Sequence, residues 1–305
     1  MKHWVLTMSV LAFAAAPALA HADADLRAQV RKKFEAQLKH LDASFDGVLG
    51  AQFVDLTDGQ VVALHGGSVF PTASTIKVAI LIALFQKSED QPGLLMQRRP
   101  FVATEQTAGT GMARLIGPES SLALQDIAQL MITLSENTAT NLIIDEVGMD
   151  NVNRASAFMG LKSMRLQRKM LENKAQAENR ENVASPADAA KIMTMIARCE
   201  IPARKESCAA IRQIMEIPQP SHPALDPIPK DIRVAFKWGG MEGVSVGWGI
   251  VNLPQRPYVF AIMTTYGHEP QSAATVRAVS QAAFDYYSRL ARANQYGARV
   301  FTTAP

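Results

Sequence analysis

The sequence predicts an α/β fold: an antiparallel sheet flanked by N- and C-terminal helices, plus an all-helical lobe. Three observations lead to this prediction. Runs with strand character occur near both ends of the chain, the long middle shows helical spacing of apolar residues, and amphipathic helices are expected before the first strands and after the last. Because strands so far apart must share one sheet, the middle is an insertion, and a cleft is expected between two lobes.

The first residues have the pattern of a signal peptide. An apolar run covers residues 5–16, and small residues at Ala18 and Ala20 form a cleavage site, which assigns residues 1–20 to this peptide. The run is short for a bilayer span, so an uncleaved anchor is the less favoured alternative. We expect the mature protein to begin near His21 and to be periplasmic or secreted, without stable membrane insertion.

An amphipathic helix and a hairpin follow. Apolar residues recur at helical spacing over residues 25–41, which predicts one buried stripe. The turn residues Thr57-Asp58-Gly59 separate two runs of strand length, residues 50–56 and 60–64, and so predict a β-hairpin.

The rest of the chain completes the two lobes. Helical patterns with short Gly or Pro breaks fill residues 75–215. Strands are predicted at residues 232–236, 244–251 and 258–264, and a last helix at residues 271–294. We therefore expect one domain over residues 21–305, with an α/β lobe formed by residues 25–72 and 222–305 and a helical lobe formed by residues 73–221.

Composition and charge narrow the function classes. The 305 residues are 48% hydrophobic and 19% charged, so the chain can bury a sizeable core. Lys and Arg number 31 against 28 Asp and Glu, and since no basic block occurs, no nucleic-acid partner is expected. The six histidines lack metal-ligand spacing, and the sequence has no cofactor motif, so neither a metal nor a cofactor is expected.

Two interpretations of the cysteines stay open. Export to an oxidising compartment would allow a disulfide between Cys199 and Cys208. Two unpaired buried thiols fit the sequence equally well, because the sequence does not give the distance between their Cα atoms.

Three short motifs carry candidate chemistry. Ser74 and Lys77 lie one turn apart at the start of a predicted helix, where a desolvated lysine amine can take the serine proton. Ser135-Glu136-Asn137 lies on a predicted loop between helices, and Lys237-Trp238-Gly239-Gly240 lies where a strand is expected to end. Taken singly, each motif is explained as well by a helix cap or a turn.

Together and in this order, the motifs resemble the active-site set of class A β-lactamases and penicillin-binding proteins, Ser-x-x-Lys, Ser-Asp-Asn and Lys-Thr-Gly. The resemblance covers nearly the whole mature chain, including residues 137–142 after the loop. It implies that Ser74 is acylated, that Lys77 helps to deprotonate it, and that Ser135 passes a proton to the leaving nitrogen.

The resemblance also implies the substrate contacts. Asn137 would hold the amide of the substrate side chain, and Lys237 would attract the substrate carboxylate. Trp238 and Gly239 would line the same edge of the cleft. The oxyanion hole would consist of the backbone N–H groups of Ser74 and Gly240.

The most serious departure from the family pattern concerns deacylation. The family loop, Arg-Leu-Asp-Arg-Trp-Glu-Pro-Glu-Leu-Asn, carries a glutamate that activates water, whereas this position falls here at Lys169 or Met170. The nearest carboxylate is Glu172, which either replaces the missing base through a shifted loop or is a solvated loop acid. Without a base, acyl-Ser74 would persist.

Two further departures concern the substrate carboxylate. Trp238 replaces a small hydroxylic residue, and residues 244–249 lack the arginine that is common on that strand. Recognition would then rest largely on Lys237. The change from Asp to Glu136 is milder, because the carboxylate persists on a longer arm.

The resemblance therefore predicts a serine β-lactamase, slow or narrow in spectrum, that acts on small-molecule β-lactams. We also expect the protein to be a monomer. Two alternatives stay open. One is a penicillin-binding D-alanyl-D-alanine peptidase or another serine acyl hydrolase on the same scaffold. The other is a binding module that is acylated once and held.

Overall fold

A computed structural model describes residues 16–103, 107, 111–117, 119–294 and 296–299. The predicted signal peptide lies outside the described residues as far as residue 15. Helix α1 (Ala16–Ala43) runs through the expected cleavage point after Ala20. It contains the helix that the sequence predicts over residues 25–41.

The remaining elements follow in chain order. The helices are α2 (Lys77–Asp90), α3 (Leu124–Thr133), α4 (Asn137–Val147), α5 (Met149–Phe158), α6 (Asn173–Ala177), α7 (Pro186–Arg198), α8 (Lys205–Glu216) and α9 (Gln271–Ala291). The strands are β1 (Val48–Asp55), β2 (Val61–Leu64), β3 (Phe70–Pro71), β4 (Arg98–Pro100), β5 (Ser121–Ala123), β6 (Val183–Ala184), β7 (Val234–Met241), β8 (Val244–Val251) and β9 (Tyr258–Thr265). No helix in the described part of the chain is both long and apolar enough to cross a bilayer.

The main sheet joins the two ends of the chain. Its strand order is β2-β1-β9-β8-β7, and every neighbouring pair is antiparallel. The hairpin of β1 and β2 therefore meets the C-terminal strands through β1 and β9, where Gly50 lies opposite Met263. Helices α1 and α9 pack beside this sheet, which confirms the predicted fold class.

The sheet separates two apolar cores. One core lies between the sheet and the terminal helices and includes Phe34, Phe260 and Tyr287. The other joins the opposite face of the sheet, through Trp248, to the helical lobe. Helix α2 runs through this second core, since every residue from Lys77 to Phe85 is buried. Such a helix is apolar on all sides, and a charged residue at its start needs polar partners of its own.

Two predictions of local structure are wrong. The helical lobe is not all-helical, because β3 pairs with β6 and β4 pairs with β5. Strands of two or three residues are too short to show an alternating pattern. The segment Lys237-Trp238-Gly239-Gly240 lies inside β7 rather than after a strand. Its glycines lower strand propensity, but full pairing with β8 outweighs that preference.

A disulfide links two helices of the helical lobe, α7 and α8. Cys199 caps the end of α7 and is bonded to Cys208 of α8, with their Cα atoms 5.7 Å apart. Helix α8 packs against β7, the edge strand that carries the third motif. The disulfide settles the alternative that the sequence left open.

Reducing this disulfide is expected to lower the free energy of unfolding by about 2–3 kcal/mol, because the short loop is then open in the unfolded chain. Urea unfolding with and without a thiol reductant measures the difference. A Cys199→Ala/Cys208→Ala variant, which has nothing to reduce, is the control. Equal stability of the wild-type protein in both buffers would contradict the expectation.

Candidate active site

Ser74 lies in a tight turn that leads into α2. The turn is a 3₁₀ helix, Ala73–Ile76, and Ser74 therefore lies just before α2. Ala73 adopts a left-handed conformation, with φ of 44°, that non-glycine residues rarely take. Thr72 anchors the turn, because its backbone N–H and its hydroxyl donate to the carbonyl of Asn182 at 2.8 and 3.0 Å.

Lys77 brings the first two motifs together. Its side chain is fully buried, and its Nζ donates to the Ser135 carbonyl at 2.7 Å, the Ser135 hydroxyl at 3.1 Å and Asn137 Oδ1 at 3.0 Å. Three acceptors match the three N–H groups of an ammonium. Burial nevertheless lowers the pKa of Lys77 to about 7, although the nearby Glu136 carboxylate opposes the shift. Near neutral pH, a substantial fraction of Lys77 is therefore uncharged and able to accept a proton.

The segment Ser135-Glu136-Asn137 lies at the junction of α3 and α4, as predicted. Ser135 has a φ of 54°, again in the left-handed region. Glu136 caps α4, because its carboxylate accepts the backbone N–H of Ala139. Burial raises the pKa of Glu136, and this hydrogen bond and the charge of Lys77 act in the opposite direction. Glu136, which stands where the family pattern has an aspartate, thus stabilises the charge on Lys77.

Strand β7 packs directly on the nucleophile turn. A Cβ atom at Gly239 would lie 2.6 Å from the backbone nitrogen of Ser74 and 2.9 Å from the Thr72 carbonyl, so only glycine fits there. Lys237, two residues earlier, is fully buried, and its Nζ donates to the Trp238 carbonyl at 2.7 Å. Burial lowers the pKa of Lys237, and the charge of Lys77 lowers it further. The third motif thus lies beside the other two.

A cavity of about 140 Å³ opens beside Ser74. It is lined by residues that include Asn137, Met170, Asn173, Gly240 and Met241. The two groups predicted for the oxyanion hole, the backbone N–H groups of Ser74 and Gly240, therefore belong to residues of the same cavity. None of the described residues that line it is acidic.

Met170, rather than Glu172, faces this cavity. Asn141 of α4 fixes the Met170 backbone, accepting its N–H at 2.8 Å and donating to its carbonyl at 3.2 Å. The Glu172 carboxylate accepts the backbone N–H of Lys169 at 3.1 Å, and Glu172 is outside the residues that line the cavity. The role of Glu172 as a base stays a prediction, and it would require the carboxylate to reach the cavity.

The residues that close the loop were not predicted from the sequence. Arg168 donates from Nε and Nη2 to the two carboxylate oxygens of Glu181 at 3.1 and 2.9 Å. Asn182 accepts the backbone N–H of Gln167 at 2.7 Å, while its carbonyl holds Thr72 of the nucleophile turn. The partner of Arg168 lies thirteen residues further on, and no periodic signal in the sequence identifies it.

In the described part of the chain, no group of three His, Cys, Asp or Glu side chains could hold a metal ion. The chemistry open to the site is that of a serine nucleophile, a buried amine and backbone donors.

The chain is similar to known proteins over most of its length. A family model described as "Beta-lactamase enzyme family" matches residues 33–287. A β-lactamase of Streptomyces fradiae is 26% identical over 282 residues, which cover 90% of each chain.

Two solved structures are similar across the fold. The β-lactamase from Sphaerobacter thermophilus is 29% identical with a TM-score of 0.76, covering 84% of this chain and 97% of its own. A variant of PBP-A, solved as an acyl-enzyme complex with penicillin G, is 28% identical with a TM-score of 0.76 and the same coverage of both chains, 84% and 97%.

Glu136→Gln is expected to move the pH dependence of Ser74 acylation to lower pH. Acylation by a β-lactam should rise as Lys77 loses its proton, with a midpoint of about 7 in the wild-type protein. Removing the Glu136 charge lowers the pKa of Lys77 further, while glutamine can still cap α4. Stopped-flow acylation across a pH series measures the midpoint, and Asp126→Asn, an exposed charge loss on α3, is the control. An unchanged or higher midpoint in Glu136→Gln would contradict this account.

Proposed function

The chain belongs to the beta-lactamase enzyme family, and we propose that it is a serine β-lactamase that opens the amide of a small-molecule β-lactam through acyl-Ser74. One observation carries this proposal. The buried Lys77 amine contacts both Ser135 and Asn137 next to the nucleophile turn. Water is the second substrate, and the reaction needs no cofactor.

Acylation uses the hydroxyls of Ser74 and Ser135 and the amine of Lys77. The Ser74 Oγ attacks the β-lactam carbonyl while uncharged Lys77 takes its proton. Backbone N–H groups of Ser74 and Gly240 stabilise the oxyanion, at about 3 kcal/mol for each donor. When the C–N bond breaks, Ser135 protonates the leaving nitrogen and regains a proton from Lys77 Nζ, 3.1 Å away.

The substrate contacts follow from the same arrangement. Asn137 offers its side-chain amide to the acylamino group of the substrate. Lys237 can supply positive potential for the carboxylate once the Trp238 indole leaves it accessible, and Trp238 and Gly239 shape the edge of β7 beside it. Gly239 acts by its lack of a side chain, since a Cβ atom there would collide with the backbone of Ser74.

Deacylation is the slow half of the reaction in this proposal. Hydrolysis of acyl-Ser74 requires a water that has lost a proton, and a positioned carboxylate normally takes that proton. Met170 occupies the loop position that faces the cavity, and Glu172 is held on the Lys169 amide. Turnover therefore depends on the Glu172 carboxylate reaching the cavity, or else proceeds without a carboxylate base.

The absence of an acidic residue among the described residues that line the cavity also favours a second candidate function. A penicillin-binding D-alanyl-D-alanine peptidase, or a module acylated once by penicillin, would share the acylation machinery without fast hydrolysis of the β-lactam adduct. The likeness to PBP-A at 28% identity supports this alternative as well as the first.

We further propose that the protein is exported, works as a monomer, and acts in the periplasm where the host has two membranes. The signal-peptide pattern of residues 1–20 supports export. The disulfide between Cys199 and Cys208 supports an oxidising compartment, because such bonds are rare in the cytosol.

Intact-mass spectrometry with benzylpenicillin, combined with nitrocefin hydrolysis, tests the proposed function. We expect a mass adduct on the wild-type protein, a burst followed by slow turnover, and no adduct on Ser74→Ala. Absence of any adduct on the wild-type protein would remove every penicillin-type function.

Met170→Glu is expected to raise the deacylation rate by about tenfold or more, because it places a carboxylate at the cavity. Glu172→Gln is the matched variant on the same loop and is expected to have the smaller effect. Decay of the adduct mass with time gives both rates. If Glu172→Gln traps the adduct and Met170→Glu leaves its decay unchanged, Glu172 is the base.

A further inference from the structure

The ammonium of Lys237 is closed off by its neighbour. Its side chain has no exposed surface, its Nζ donates to the Trp238 carbonyl, and this atom lies 4.9 Å from the centre of the Trp238 ring. A cation over an indole is an attractive contact, and it is stronger where water is excluded. A carboxylate that is to reach Lys237 must therefore first displace the indole.

Another ring lies against the Trp238 indole. Its Nε1 makes no hydrogen bond to the described residues, and the indole packs against the apolar core that includes Phe236. His222 lies against it, with the ring centres 6.3 Å apart and the planes 29° from parallel. His222 in turn packs on Phe236, at 5.3 Å, and its Nδ1 accepts the backbone N–H of Ala224.

His222 stacks as a neutral ring. Burial lowers the pKa of His222 to about 4, the charge of Lys237 lowers it further, and Asp226 only partly opposes this. The imidazole is therefore uncharged near pH 7. It packs against the indole and offers no positive charge to a substrate carboxylate.

Gly247 of β8 leaves the space that His222 fills. Gly247 is the cross-strand partner of Trp238. A Cβ atom at Gly247 would lie 3.3 Å from His222 Cε1, 3.3 Å from Ala224 Cβ and 3.2 Å from a Phe236 ring carbon. A long side chain at this position would push His222 away from the indole. The position of the Trp238 indole on β7 thus depends on the small residue opposite it on β8, Gly247, where a long cationic side chain would displace His222.

We propose that His222 is a positioning residue for substrate choice: it holds the Trp238 indole over Lys237 and so favours acyl substrates whose binding does not need a carboxylate at that ammonium. The inference rests on the proposed acylation of Ser74. It differs from the roles given above to Lys237 and Trp238 in assigning the control to a residue outside the three motifs.

Benzylpenicillin and its methyl ester form the matched pair of substrates, because they differ only in the carboxylate. The ratio of their second-order rate constants for acylation of Ser74, acid over ester, is measured by stopped flow and intact mass. For the wild-type protein we expect a ratio near one. For His222→Ala we expect the ratio to rise by about tenfold, from a lower KM for the acid with an unchanged ester rate.

Three further variants test whether His222 acts by positioning the Trp238 indole or by a general effect on the structure. Trp238→Ala should raise the ratio to a similar extent, and the His222→Ala/Trp238→Ala double variant should raise it no further, because His222 acts through the indole. His222→Phe, which keeps a ring on the indole, should retain the wild-type ratio.

Failure of this inference and failure of the proposed function give different results. A wild-type ratio above about ten would show that Lys237 is already open and would overturn the inference. Equal changes for acid and ester in His222→Ala, or an additive double variant, would also overturn it. If His222→Ala does not fold, an unchanged ratio in Trp238→Ala overturns the inference by itself. Absence of an adduct from both substrates would instead overturn the proposed function.

Discussion

The buried ammonium of Lys77 is the interaction on which the rest of the site depends. A charge taken out of water costs several kcal/mol, and the cost is offset here only because three oxygens of the segment Ser135-Glu136-Asn137 surround it. These contacts join α2 to the junction of α3 and α4, two parts of the helical lobe 58 residues apart along the chain. The same burial lowers the pKa of Lys77 to about 7, so one feature both assembles the site and prepares its base.

The second constraint is the approach of β7 to the nucleophile turn. Gly239 leaves no room for a side chain against Ser74, which fixes the edge of the sheet relative to the nucleophile. Helix α8 packs against this edge strand, and the disulfide between Cys199 and Cys208 ties α8 to α7. Around this fixed frame the chain departs from the family pattern in two places, at the loop of Met170 and at the carboxylate side of the cleft.

Much of the fold could be predicted from local pattern, because long strands and helices carry clear periodicity. Strand β8 and the junction before Asn137 lie where the sequence places them. The course of β7 through Gly239 and Gly240 could not be predicted, since pairing with β8 and packing on Ser74 decide it and both are distant in sequence. For the same reason the sequence shows Glu172 as a candidate base but not its contact with a backbone amide. His222 gives no local signal, because its role depends on the ring beside it.

Direct titration of Lys77 tests the central claim most directly. Protein labelled with ¹³C at lysine Cε is followed by NMR from acid to alkaline pH, and the Lys77 signal is assigned by its loss in Lys77→Arg. The account predicts a midpoint of about 7 for Lys77 in the resting protein. A midpoint near the ordinary value of 10.5 would contradict it, because the amine would then be a fixed cation unable to take the proton of Ser74.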